Sequence, residues 1–336
     1  MKNILVVGGA GYIGSHTVLE LFEANYNPIV LDNFINSNEN VIERIKKITG
    51  KNVTYYKGSF QSSELLDKIN KQHKIDGVIH FAAHKAVGES VENPLKYYDN
   101  NVAGFISLLD YLKNNDIKRM VFSSSAAVYG EPDKSIVNEE TICLPTSPYG
   151  WSKYMDEIII RDICKSDIKF QAIALRYFNV VGAHPSGLIG ELPSGKPQNL
   201  LPIIIQSLKG KLPKLTVFGN DYPTKDGTCE RDYIHVVDLA KAHVSAINKL
   251  FNSDINYDVI NIGTGKSNSV LELISTFEKI NNIEVPYHIG KRRPGDPAAY
   301  YASVDKAKGI LGWQSSKTVE DAVRDAWNWQ LTLDKE

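Results

Sequence analysis

The apolar segment Ile4-Leu5-Val6-Val7 runs directly into Gly8-Gly9-Ala10-Gly11-Tyr12-Ile13-Gly14, and an amphipathic stretch follows at once. A buried strand, a glycine-rich turn and a helix start, in that order, restrict the chain to a narrow set of α/β folds. Glycines let the backbone turn tightly and approach a pyrophosphate, whose charge the helix N-terminus stabilises. Asp32 closes the next apolar run 18 residues after Gly14, where a carboxylate grips an adenosine ribose. A carboxylate there accepts from the 2′-hydroxyl of NAD and repels the 2′-phosphate of NADP. A glycine-rich turn alone also serves as a plain structural turn; the strand, the helix and the downstream acid together favour a dinucleotide.

The same alternation continues. Short apolar runs at 4–7, 29–31, 53–56, 78–81, 120–123 and 171–175 read as strands, and stretches of helical spacing at 12–24, 38–48, 62–72, 94–114 and 148–164 lie between them. Pro94 and Pro148 suit the first turn of a helix. Strand and helix in alternation predict a doubly wound parallel sheet of Rossmann type with right-handed crossovers. Residues 184–197 are rich in Gly, Pro and Ser, which marks a loop and the start of a second unit. Beyond it the pattern predicts helices at 200–210, 236–250, 270–280 and 319–331, strands at 215–218 and 258–262, and a polar loop at 220–231. The expected organisation is a cofactor domain over 1–182, to which 233–262 returns, and a smaller mixed α/β C-terminal substrate lobe over 183–336.

Bulk properties narrow the partners. Hydrophobic residues make up 43% of the 336 and charged residues 23%, with a formal net charge of -1. No overall field attracts nucleic acid or an anionic membrane. Cys143, Cys164 and Cys229 have no metal-ligand spacing and leave an odd thiol under any pairing, so reduced thiols in a reducing compartment are expected. The opening residues are too quickly glycine-rich for a signal peptide, and no apolar run approaches the roughly 20 residues of a bilayer span. A cytoplasmic, soluble protein is the expectation. His184 and His235 lack ligand partners at sequence spacing, so no metal is expected. His80, in an apolar run, reads as a core histidine, and Trp327 and Trp329 as packing residues.

Chemistry enters with Ser147-Pro148-Tyr149-Gly150-Trp151-Ser152-Lys153 and, upstream, Ser123-Ser124-Ser125. Tyr149 and Lys153 lie one helical turn apart and share a face. Alone, such a pair also fits an amphipathic surface helix. Its place at the head of the helix after the fifth strand, with Ser123–Ser125 at the carboxyl end of that strand, puts it where doubly wound sheets bind ligands. A phenol titrates near 10, and bringing it near 7 takes roughly 4 kcal/mol of preferential phenolate stabilisation. One positive charge about 4–5 Å away supplies on the order of 3–4 kcal/mol at an effective dielectric of 20. Lys153 and an oxidised nicotinamide ring together are expected to suffice, with a serine hydroxyl orienting the substrate oxygen.

These motifs carry a likeness. The chain resembles the extended short-chain dehydrogenase/reductase superfamily and, within it, the family of UDP-glucose (UDP-galactose) 4-epimerases. The likeness is quoted in GGAGYIGS at 8–15, VIHFAAHKAVGES at 78–90, YYDNNV at 97–102, FSSSAAVYG at 122–130, LRYFNVVGAHPSG at 175–187, VFGNDYPT at 217–224, RDYIH at 231–235 and the 292–296 segment. It implies that Tyr149 is base and acid at the sugar 4-hydroxyl, that Lys153 tunes it and holds the nicotinamide ribose, and that Ser125 hydrogen-bonds the same hydroxyl. It implies NAD contacts from Gly8, Gly11, Tyr12, Ile13, Gly14, Asp32, Asn33, Asn36, Ser37, Ser59, Phe60, Phe81, Ala82, Ala83, Lys85, Asn100, Ser123 and Tyr177, besides Tyr149 and Lys153. For UDP and its sugar it implies Lys85, Ser125, Tyr149, Phe178, Asn179, Asn199, Leu200, Phe218, Arg231, Tyr233, Arg293, Asp296 and Tyr300. Guanidinium forks such as those of Arg231 and Arg293 match phosphate oxygens.

The implied reaction is oxidation at C4 to a 4-keto sugar on bound NAD, rotation of that sugar in the pocket, and hydride return to the opposite face. UDP-galactose and UDP-glucose are thereby interconverted by a homodimer paired through helices 94–114 and 148–164. Three departures stand out: Val7 where a threonine is usual, Ser59 where an adenine-contacting Asp is usual, and Ala83-His84 beside Lys85. Tyr300 falls at the position that sets pocket width, and its bulk is expected to disfavour N-acetyl sugars. The open alternatives are a 4-epimerase of another UDP-sugar (a uronate, pentose or N-acetylhexosamine), a nucleotide-sugar 4,6-dehydratase, or a non-catalytic dinucleotide sensor on the same fold. The dehydratase needs an acid and a base where this chain has Ala126 and Ala127.

Overall fold

A computed structural model describes residues 1–335 except 194, 196, 294 and 295. Its centre is a seven-stranded parallel sheet made of β1 (Asn3–Val7), β2 (Asn27–Asp32), β3 (Thr54–Lys57), β4 (Gly77–His80), β5 (Arg119–Ser125), β6 (Gln171–Tyr177) and β7 (Tyr257–Ile262). The spatial order is β7-β6-β5-β4-β1-β2-β3. It reverses direction between β1 and β4, whose register pairs Val7 with His80. A crevice for a ligand opens beyond the carboxyl ends of strands at such a reversal.

The helices follow from the pattern. They are α1 (Tyr12–Glu23), α2 (Asn40–Thr49), α3 (Ser63–His73), α4 (Gly104–Asn114), α5 (Pro148–Ser166), α6 (Leu200–Leu208), α7 (Val236–Asn252), α8 (Val270–Asn281) and α9 (Val319–Leu333), with shorter helical pieces between. Alternate strand residues serve opposite faces. Ile4, Val6, Val30 and Val121 pack with Val18, Leu21, Leu239 and Ile247 of α1 and α7. Leu5, Val7, Leu31 and Phe122 pack with Leu66, Leu108, Leu112 and Ile160 of α3, α4 and α5. Burial on both faces explains why β1, β2, β4 and β6 read as near-continuous apolar runs, whereas the edge strand β3 is half exposed.

Smaller sheets complete the molecule. Asn268–Ser269, Glu230–Arg231, Ala299–Ala302 and Ile136–Val137 form a four-stranded sheet in that order. Tyr233–His235 pairs with Asn179–Val181, and Tyr287–Gly290 with Leu215–Phe218. Most of these strands have two to four residues, too short for periodicity to declare them. Among the described residues no helix is long and apolar enough to cross a membrane.

One expected element differs in kind. The single helix expected over 94–114 is instead a short turn Pro94–Tyr97, a π-helical stretch Tyr98–Ala103, and then α4. The widened turn holds Asn101, 2% exposed, where Nδ2 donates to the His84 carbonyl (3.0 Å) and Ser152 Oγ (3.1 Å), and Oδ1 accepts from the His84 amide (2.9 Å). Such bulges gather at functional sites.

A buried ion pair clamps α5 to the sheet. Arg176 of β6 meets Glu157 of α5 with two bonds, Nε–Oε1 at 2.9 Å and Nη2–Oε2 at 2.5 Å, and Ser124 of β5 donates to the same carboxylate. Both side chains are almost fully buried. Removing one member strands the other charge, which costs about 3–5 kcal/mol. Arg176→Met is therefore expected to lower the unfolding free energy by about that much in chemical denaturation, and Arg176→Met/Glu157→Leu to recover most of it. A single substitution with unchanged stability would contradict the clamp.

Candidate active site

The glycine turn is a close-packed cradle. Gly8 has φ +78°, and a Cβ there would stand 2.7 Å from the Ala82 amide nitrogen. A Cβ on Gly14 would lie 2.3 Å from the Gly8 carbonyl oxygen, so α1 can approach β1 only with glycine there. Gly11 caps α1 without a side-chain bond, and the first turn carries no acid. Among the described residues, no side-chain cap or first-turn acid competes for an anion at this helix N-terminus. Asp32, 8% exposed, accepts from the Ala10 amide (2.9 Å), the Phe34 amide (2.8 Å) and Ser37 Oγ (3.0 Å). It ties the glycine turn to the loop holding Asn33 and Asn36, which are exposed. Residues of this kind in this arrangement fit a dinucleotide pyrophosphate and ribose.

The other expected cofactor positions lie on several neighbouring elements. Phe81, Ala82 and Ala83 follow β4, and Phe81 leans on His243 at 4.6 Å. Tyr12 Oη donates to the Gly182 carbonyl at 2.6 Å, with Ile13 beside it in sequence. Phe60 is buried against His80, centroids 5.1 Å apart. Ser59 Oγ accepts from the Gln61 amide at 3.2 Å, serving the turn there. Asn100 Nδ2 donates to Asn101 Oδ1 at 2.9 Å. His80 stacks among Phe60, Phe105 and Phe122, and burial holds its pKa well below the usual histidine range, as expected for a core residue.

The reactive trio meets where β5 ends and α5 begins. Ser147 caps α5, its Oγ accepting from the Gly150 amide at 3.1 Å, and Pro148 opens the first turn. Gly150 sits so close to the turn at 126–129 that a Cβ would be 2.8 Å from the Ala127 carbonyl oxygen. That approach brings the Tyr149 side chain, itself half-buried, close to Ser125. Ser125 Oγ also accepts from the Ala127 amide at 3.2 Å. Lys153, 3% exposed, donates from Nζ to the Ser123 carbonyl at 2.8 Å and lies 4.8 Å from the Phe122 ring centroid. Ser123 Oγ hydrogen-bonds the Tyr177 hydroxyl.

The electrostatics differ from the expectation in one respect. Burial pushes the Tyr149 phenol above its ordinary value, and the neighbouring Ser125 side chain only partly offsets this. Burial also lowers Lys153 to about 8, against the pull of Asp156 and Glu157. The protein by itself therefore does not acidify the phenol. A phenol partly withdrawn from water beside a neutral hydroxyl favours its neutral form.

Two further groups of residues assemble across the crevice. Asp296 bridges both guanidinium groups, Oδ1 to Arg231 Nη2 at 2.8 Å and Oδ2 to Arg293 Nε at 2.9 Å. Arg231 Nη1 also donates to the Pro297 carbonyl at 2.8 Å, and Arg293 stacks over Phe218 at 4.9 Å. Two residues of the 292–296 motif, 294 and 295, lie outside the described residues. Nearer Tyr149, Tyr300 packs on buried Phe178 (5.1 Å) and donates to the Ala126 carbonyl. Tyr233 pairs in register with Asn179, and Tyr300 with Arg231. Asn199 opens α6 just before Leu200, and Lys85, largely exposed, bonds Glu191 at 3.2 Å. Sequence reasoning passed over Glu191, which lies in a loop without periodicity, and His243, one of many buried positions in the periodic run at 236–250.

Comparison with known proteins agrees with this geometry. The family model described as GDP-mannose 4,6 dehydratase matches residues 5–326. The UDP-glucose 4-epimerase of Bacillus subtilis (strain 168) is 50% identical over 327 residues, covering 97% of this chain and 96% of the relative. A UDP-glucose 4-epimerase from Stenotrophomonas maltophila, solved with NAD and formylated UDP-arabinopyranose, superposes with a TM-score of 0.97 at 43% identity, covering 100% of this chain and 99% of that one. One from Bifidobacterium longum, in complex with NAD+ and UDP, gives 0.93 at 46% identity and 98% coverage of both chains. The chain belongs to the UDP-glucose 4-epimerases of the extended short-chain dehydrogenase/reductase superfamily.

Proposed function

We propose that this protein is an NAD-dependent UDP-glucose 4-epimerase that interconverts UDP-galactose and UDP-glucose. The observation that carries the reading is the arrangement at the head of α5, where half-buried Tyr149 stands close to Ser125 and Lys153 is anchored on the Ser123 carbonyl at 2.8 Å, next to a glycine turn suited to a dinucleotide. Bound NAD supplies a reversible hydride acceptor and, in its oxidised state, a positive ring. Gly8, Gly11, Gly14 and Asp32 would hold its pyrophosphate and ribose, and Phe81, Lys85, Asn100 and Tyr177 would border the rest.

The protein's own groups then account for the proton. Ser125 orients the sugar 4-hydroxyl, and Tyr149 Oη takes its proton as C4 is oxidised to the ketone. Tyr149 returns that proton when C4 is reduced on the other face. Lys153, held on Ser123, keeps a charge near the phenolate in a dry site, where it counts for more than in water. Arg231, Arg293 and Phe218 suit the diphosphate and uracil, so the nucleotide is clamped while the hexose is free to turn. The structure adds nothing ionisable at Ala126 or Ala127, whose peptides form the 126–129 turn, which disfavours dehydration across C5 and C6.

We further infer a cytoplasmic homodimer without a metal. Val91, Leu95, Ile106 and Met155 expose apolar surface on the helical pieces at 87–97, α4 and α5, and an exposed apolar patch of this kind suits burial against a second copy. No group of three metal-ligating side chains occurs among the described residues.

Tyr149→Phe is expected to lower kcat for UDP-galactose by at least about 100-fold, since general acid–base catalysis contributes about 10²–10⁴. The coupled measurement of UDP-glucose formation checks this, and near-normal turnover would remove Tyr149 from the reaction. Tyr300 is held at both ends, by Phe178 and by the Ala126 carbonyl, so it cannot swing aside without losing both. UDP-N-acetylgalactosamine is therefore expected to turn over at least about 10-fold less efficiently than UDP-galactose, and Tyr300→Ser to narrow that gap. Comparable kcat/KM for both sugars in the wild type would contradict this role.

A further inference from the structure

We propose that Glu191 is a positioning residue that fixes Lys85 and Asn199 together at the mouth of the substrate site, so that one carboxylate joins the cofactor half of the crevice to the nucleotide half. The inference rests on the epimerase reading only in taking the ligand to be a nucleoside diphosphate sugar.

The backbone around Glu191 is held from several sides. Ala183 and Gly190 form an antiparallel bridge, and the His184 amide donates to the Ile189 carbonyl at 2.9 Å. Arg44 Nη1 donates to the Leu188 carbonyl at 3.1 Å while stacking on Trp329 at 4.6 Å. Trp329 Nε1 donates to the Glu191 carbonyl at 3.0 Å. Gly190 is packed so tightly on that indole that a Cβ would lie 2.5 Å from it. The side chain that emerges is 12% exposed, and a single oxygen, Oε1, accepts from Lys85 Nζ at 3.2 Å and from Asn199 Nδ2 at 2.8 Å.

The consequences are geometric and electrostatic. Lys85, its side chain 65% exposed, follows β4 on the cofactor side, whereas Asn199 is the cap residue of α6. Committing Nδ2 of Asn199 to Glu191 fixes which way its amide faces and leaves Oδ1 to accept a hydrogen bond from a ligand. The field of Glu191 also reaches the head of α1. Tyr12 is raised well above its usual value by burial first and by Glu191 second. A carboxylate so close to an anion site would repel a diphosphate unless neutralised, and Lys85 supplies that neutralisation. The pair thus presents a rigid rim with no net charge.

The test is a double-mutant cycle on UDP binding, read by titration calorimetry on the NAD-loaded protein. Glu191→Ala and Asn199→Ala are each expected to weaken UDP about 10-fold, with the double variant no weaker than either single one, because coupled neighbours are non-additive. KM for UDP-galactose should rise about 10-fold while kcat stays within about threefold. Glu191→Gln keeps the acceptor and should bind UDP within about threefold of wild type. Unchanged UDP binding in Glu191→Ala, or losses that simply add, would overturn the proposal. Should Glu191→Ala not fold, Glu191→Leu, which also lacks the acceptor, takes its place in the cycle with Asn199→Ala, and additive losses there overturn the proposal equally. UDP binding needs no turnover, so a wild type that fails to epimerise would sink the reaction proposed above and leave this cycle standing.

Discussion

The hydrogen bond from Lys153 to the Ser123 carbonyl joins the helix that carries the phenol to the strand end that carries Ser125. That bond acts with the Ser124–Glu157 contact and the close approach of Gly150 to Ala127 to fix the first turns of α5 against β5, which sets Tyr149 near Ser125. Several features serve this junction. Glycine at 150 lets α5 approach the turn after β5. Asn101, turned inward by the π-helical stretch, bonds Ser152, whose Oγ donates to the Tyr149 carbonyl at 2.8 Å. The Arg176–Glu157 pair clamps the next turn of α5 against β6. An ammonium at 3% exposure is costly, and these supports hold it there.

The division of labour between protein and coenzyme follows. Burial raises the phenol and lowers the lysine, so the protein keeps both groups closer to their neutral forms. A dry site magnifies any charge brought into it. An oxidised nicotinamide ring beside Tyr149 would be such a charge, and its loss on reduction would return the phenol to the protonated state. On the proposed mechanism, proton and hydride transfers would be coupled because the same ring would govern both. The sequence-based arithmetic had counted Lys153 and the oxidised ring together, since helical spacing shows that two residues share a face but not which way an amine bonds.

Most of the sheet was legible in the chain because its strands are buried on both faces and its helices on one. The glycine cradle was legible because Gly8 and Gly14 meet backbone at distances no side chain allows. The π-helical stretch was not, because Tyr98–Ala103 has ordinary helical composition and the widening answers to Asn101 meeting partners 17 and 51 residues away. The two- to four-residue strands around 179, 230, 268 and 300 were also missed, being held by neighbours distant in sequence. Glu191 was invisible for a similar reason: its partners are 106 residues before it and 8 after it, across a loop without periodicity.

The central claim is that the coenzyme, not the protein alone, makes Tyr149 a base. Its most direct measurement is ultraviolet titration of the phenolate, taken as the difference between wild type and Tyr149→Phe with the coenzyme oxidised and then reduced. The account predicts a Tyr149 transition near neutral pH in the oxidised holoenzyme and one at least about 2 pH units higher in the reduced form, a single nearby charge being worth several kcal/mol in a dry site. The same transition in both states would contradict it.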